Sequence, residues 1–124
     1  MRPAHRGLLA AAIAAGFLGG LATCDDNRRR ERVATCRRAL PAVAPEAGIR
    51  LRLLRAAPGA TPDTVRVDYL DGNRQHWLTC RFDGGSTLLA LATENSTLSG
   101  PALYMLKRFY LDTPDATAAD PAGH

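Results

Sequence analysis

Three cysteines, one interior histidine and one tryptophan are the residues of this 124-residue chain with the most specific chemistry. Cys24 ends an apolar run, Cys36 follows a cluster of arginines, and Cys80 lies in "HWLTCRF", four residues after His76. A cysteine can carry a lipid, close a disulfide, ligate a metal or attack a substrate beside a histidine base. On a strand, His76 and Cys80 share a face but stand roughly 13 Å apart, too far for a direct hydrogen bond. Neither Cys36 nor Cys80 belongs to a CxxC, and His5 and His124 lie at the ends, so the spacing predicts no metal site. "DGGST" places its glycines before a strand, without the helix N-terminus that a phosphate loop uses. The expectation is therefore no catalytic residue, no cofactor and no small-molecule substrate.

With Cys24 used elsewhere, Cys36 and Cys80 are an even pair, and in a small exported domain such a pair is most simply a disulfide. The loop it closes spans 45 residues. Chain entropy assigns such a loop about 4 kcal/mol of stabilisation. Two separate thiols, or a small redox or hydrolytic enzyme using Cys36, Cys80 or His76, are the alternatives.

These residues need elements to hold them. From Arg28 to Leu40, Val33, Cys36 and Leu40 recur at helical spacing, with Pro41 and Pro45 as stop signals. "IRLLRAA", "TVRVDYL", "HWLTCRF" and "TLLALAT" read as four strands separated by Pro and Gly clusters. Asp71-Gly72 predicts a two-residue type I′ hairpin turn. That turn puts Val65, Val67 and Tyr69 on one face with His76, Leu78, Cys80 and Phe82, where a covering helix reaches Cys80. Trp77 falls on the other face, opposite Arg66, and a cation–π pair there would form an anchor for a partner. Burial of Trp77 under loops or a second helix is the competing expectation, because "TLLALA" is apolar on both faces. "STLSGPALYMLKRFYLD" predicts a second helix, and residues 113–124 a disordered tail. The predicted fold is α+β: N-terminal helix, four-stranded antiparallel meander and C-terminal helix in two layers, over residues 24–112.

Residues 1–23 have the three regions of a secretory signal: Arg2 and Arg6, an uncharged segment from Gly7 to Thr23, and small residues at its end. "LATC" resembles the lipobox of bacterial lipoproteins, with Leu21, Ala22 and Cys24 matching and Thr23 departing from the usual Gly, Ala or Ser. The resemblance covers four residues and implies lipid attachment at Cys24, while Asp25 resembles the signal that keeps some lipoproteins at the inner membrane. Lipid chains would anchor the protein without a spanning helix. An uncleaved anchor is the alternative. The whole also resembles small exported bacterial proteins with a signal segment, one disulfide and no catalytic motif, which implies an envelope location and supplies no activity. The leading expectation is a non-catalytic domain anchored on the periplasmic side of a membrane, the inner membrane first, that binds a protein or envelope polymer.

Charge adds one opposing observation. Arg28, Arg29, Arg30, Arg32, Arg37 and Arg38 follow the apolar segment, and such loops tend to remain cytoplasmic. A cytoplasm-facing domain binding anionic lipid or nucleic acid is therefore a third expectation. Without Arg2 and Arg6, however, the chain holds 14 basic and 12 acidic side chains, a net +2, and few aromatics for base stacking. No nucleic acid is expected as partner on that balance.

Overall fold

The computed structural model describes residues 24–123, so the signal-like segment lies outside the described residues. The chain divides into two compact units, residues 1–30 and 31–124. In the first, residues 24–30 are helical, and Arg28 and Arg29 reach back three residues to Asp25 and Asp26. Pairs at that spacing favour helix locally.

The second unit begins with helix α1 (residues 31–43) and a short 3₁₀ turn at Gly48–Arg50. Five strands follow: β1 (Leu51–Pro58), β2 (Thr64–Asp71), β3 (Arg74–Phe82), β4 (Leu88–Thr93) and β5 (Thr97–Leu98). They form one antiparallel sheet in chain order. Helix α2 (Gly100–Leu106), a π-helical turn (Lys107–Leu111) and helix α3 (Pro114–Ala118) complete the unit.

Alternation within the strands decides which side is buried. Val65, Val67 and Tyr69 of β2, Leu78, Cys80 and Phe82 of β3, and Leu88 and Leu91 of β4 form one core with Cys36, Ala39 and Leu40 of α1 and Leu103 of α2. Each fully buried leucine in it contributes about 1.5–3 kcal/mol by leaving water. Cys36 and Cys80 are disulfide-bonded at the centre of this core, with Cα atoms 5.8 Å apart and no exposure for either residue. The helix stripe and the strand alternation thus bring the two sulfurs to one point.

The α+β class agrees with the sequence, whereas several boundaries do not. Helical residues extend from 24 to 43 rather than from Arg28 to Leu40. Pro41 does not end α1, because in a last turn it removes one backbone donor, and the Ala44 N–H bonds the Leu40 carbonyl at 3.0 Å. The sheet has five strands instead of four. The fifth, Thr97–Leu98, is two residues long and too short to show alternation; a turn in which the Thr93 N–H bonds the Ser96 carbonyl folds it against β4.

The β2–β3 turn is centred on Gly72-Asn73, not on Asp71-Gly72, since Asp71 pairs with Arg74. Positive φ is confined to Gly72, at 61°, the first central position, as in a type II′ turn; type I′ needs it at both. The slip is two residues, so every side chain keeps its predicted face but changes its partner. Trp77 accordingly lies opposite Asp68, and Arg66 opposite Thr79.

The tail predicted as disordered contains α3 and a buried acid. Asp120, 4% exposed at its side chain, is held by Arg37 through Nε at 2.7 Å and Nη2 at 2.8 Å. Apolar periodicity is absent from residues 113–124, and what fixes them is an ion pair 83 residues away in sequence.

Candidate functional site

Both helices that join the core do so from the same side of the sheet, leaving the other face without a helical layer among the described residues. Burial of Trp77 under a second helix is therefore not found. This open face is assembled from alternate strand residues: Arg52, Arg55 and Ala57 on β1, Arg66 and Asp68 on β2, Trp77, Thr79 and Arg81 on β3, and Ala90 and Ala92 on β4. A bulge in β1 between Leu53 and Arg55 pushes Leu54 out, half exposed, and brings Arg55 opposite Asp68.

Trp77 sits half-buried at the middle of the face. Although the register differs from expectation, Arg66 lies over its ring with the guanidinium carbon 5.5 Å from the centroid. The contact is diagonal across the β2–β3 pair, a separation that long side chains cover. Arg66 Nε also donates to Asp68 Oδ1 at 3.0 Å. Its charge thus has a fixed position between an indole face and a carboxylate.

On the far side of Trp77, Glu94 organises the end of the sheet. Its Oε1 accepts the Trp77 backbone N–H at 2.9 Å, and both its oxygens lie 3.1 Å from His76 Nδ1. The Trp77 N–H and then His76 hold the Glu94 carboxyl below the usual range. Tyr69 stacks tilted against His76 with ring centroids 5.6 Å apart, and burial followed by the charges of Glu94 and Asp71 raises its phenol. Tyr69, Asp71, His76 and Glu94 line a cleft of about 300 Å³ with Glu46 and Val43.

A Glu–His pair orients an imidazole so that Nε2 is its free base position. The nucleophile that the sequence offered is absent from reach, because Cys80 is joined to Cys36 inside the core. Among the described residues no group of three or more His, Cys, Asp or Glu side chains is arranged to hold a metal ion. Cys24, the expected lipid-attachment residue, is an exposed free cysteine in the first unit, apart from the disulfide.

The arginine cluster of residues 28–38 is not one open cationic surface. Arg28, Arg29 and Arg30 face Asp25, Asp26 and Asn27 within the first unit. In the second, Arg32 donates to the carbonyls of Gly85 and Asp83 and pairs with Asp63 at 3.0 Å, while Arg37 and Arg38 converge on Asp120. These side chains tie α1 to the strand loops and to the C-terminal segment.

Glu94 and the arginine stripe of β1 to β3 are the parts of the site that sequence reasoning missed. "TENST" reads as a turn, and nothing local says that its acid reaches back to β3. The arginines were visible as polar positions in "RLLRAA", "TVRVD" and "TCRF", but their alignment depends on a register and a bulge. No family model, curated protein or solved structure matches the chain.

Proposed function

We propose that this chain is an exported, non-catalytic envelope module, held at the periplasmic side of a membrane by its N-terminus, whose sheet face around Trp77 binds a protein or envelope polymer. Attachment is through lipid on Cys24 or through the preceding apolar segment. The observation that carries the binding role is Arg66 stacked on Trp77 on a sheet face that no described helix covers. An ordered aromatic–arginine pair costs little further entropy to immobilise when a partner arrives, and such residues dominate interface energetics. A disulfide at the core centre fits an oxidising compartment and supports the exported reading. Among the described residues no helix is long and apolar enough to cross a membrane.

Trp77→Ala in the full chain is expected to weaken capture of purified envelope fractions by about 30-fold, the size of a central interface anchor. Trp77→Phe should retain part of the affinity, since a smaller ring still supports Arg66. Binding isotherms for both variants, beside their thermal unfolding curves, check this. Unchanged capture by a folded Trp77→Ala protein contradicts the proposal.

A further inference from the structure

The arginines of the open face are not scattered. The strand pairing puts Arg55 beside Asp68, Arg66 one row further along on β2 beside Thr79, and Arg81 one row further again on β3 beside Thr64. Arg52, beside Leu70, lies one row back on β1 itself, where the line bends to follow that strand. Neighbouring strands lie about 4.8 Å apart and alternate residues about 6.8 Å apart, so Arg55, Arg66 and Arg81 are separated by about 8 Å along one diagonal, and Arg52 lies about 7 Å from Arg55 along β1. The four positions mark a bent path of about 23 Å across the face.

Most of the charge on this line is uncompensated. Asp68 is the one carboxylate among the stripe residues, and it faces Arg66. Arg52, Arg55 and Arg81 are exposed and make no ion pair among the described residues. Glu94, at the end of the face, is occupied by the Trp77 N–H and His76. Four guanidiniums at regular intervals on a flat surface complement an extended polymer whose own charges recur along its length.

We infer that the arginine row Arg52–Arg55–Arg66–Arg81, with Trp77 holding Arg66, is a binding track for a linear anionic polysaccharide, its carboxylates or phosphates accepting hydrogen bonds from the guanidiniums. This deepens the binding role proposed above and rests on it. A single-stranded nucleic acid carries recurring charge as well, but platforms for it stack successive bases on several aromatics. Here the face has one aromatic, and Arg66 covers its ring. The polysaccharide is the occupant that needs no stacking.

The test uses the full chain in neutral detergent and immobilised polygalacturonate, with uncharged dextran and a single-stranded thymidine oligomer as comparators. Polygalacturonate should be bound and dextran not. The logarithm of affinity should fall against the logarithm of salt with a slope of about −3, by the value known for single-stranded polyanions meeting four cations. Each of Arg55→Gln, Arg66→Gln and Arg81→Gln should reduce that slope by about 0.7, whereas Arg108→Gln, away from the sheet, leaves it unchanged. Circular dichroism of the triple variant should be native, since these side chains are exposed. Absent binding to polygalacturonate, a triple variant that binds like the parent, or tighter binding of the thymidine oligomer overturns the inference. If Trp77→Ala still weakens capture of envelope fractions while polygalacturonate is ignored, the anionic track fails and the binding role stands.

Discussion

Replacing Cys36 and Cys80 together by serine is expected to lower the unfolding free energy by about 4 kcal/mol. The bond ties α1 to β3, and in its absence the unfolded chain regains the freedom of a 45-residue loop. A unit of this size has a total stability of roughly 5–14 kcal/mol at the usual per-residue values, so the loss removes a large share of it. Two hydroxyls would also replace the sulfurs in the apolar core, beside the Val65 carbonyl that Cys36 Sγ meets at 3.9 Å, and burying polar groups there adds a cost. Urea unfolding of the double variant should show a midpoint shifted far down with a steeper slope, since the unfolded state is no longer cross-linked. The native disulfide should resist mild reductant until the core opens, because neither cysteine is exposed. A double variant as stable as the parent would show that the bond is incidental.

Asp120→Ala is expected to cost about 2 kcal/mol at neutral pH, less than a fully buried ion pair because Arg37 and Arg38 keep partial contact with water. Burial pushes the Asp120 carboxyl up, but hydrogen bonds from Arg37 and from the Ala122 N–H, with the charges of both arginines, outweigh it and leave the group lowered. The same bond raises Arg37. A depressed carboxyl contributes stability that is present above the unfolded value near pH 4 and is lost as pH falls through the folded one. The gap between parent and variant should therefore close below about pH 4. Amide exchange should report the same event locally: the Ala116, Ala119 and Asp120 N–H groups, bonded within the C-terminal segment, should lose protection in the variant. Unchanged exchange there would mean that α3 is held by something other than this pair.

What was legible in the sequence follows from how far each signal reaches. The Val33, Cys36 and Leu40 stripe and the Val65–Tyr69 and Leu78–Phe82 alternations are local patterns, and they brought Cys36 and Cys80 together correctly. A glycine near the right place was enough for the faces of the β2–β3 hairpin, because parity survives a two-residue slip. Partner identity did not survive it. The opposition of Arg66 and Trp77 became a diagonal contact, and the pair still met because arginine is long. Asp120 was illegible for a different reason: a tail pinned by one carboxylate shows no periodicity. Glu94 likewise acts through a turn that composition describes only as polar. The arginine cluster of residues 28–38 read as a run of charge that tends to stay cytoplasmic, yet its charges are distributed among Asp25, Asp26, Asp63 and Asp120. Opposite charges distant in sequence are what a local reading cannot pair.

The central claim is export of a disulfide-bonded module anchored at its N-terminus. It is tested most directly by the intact mass of the chain extracted from membranes and alkylated in denaturant without reductant. The account predicts no label on Cys36 or Cys80 and a mass short by the two hydrogens of the bond, on a chain that begins at a lipid-modified Cys24 or, for the uncleaved anchor, keeps its apolar segment. A chain that retains Met1 and carries label on both Cys36 and Cys80 would contradict it.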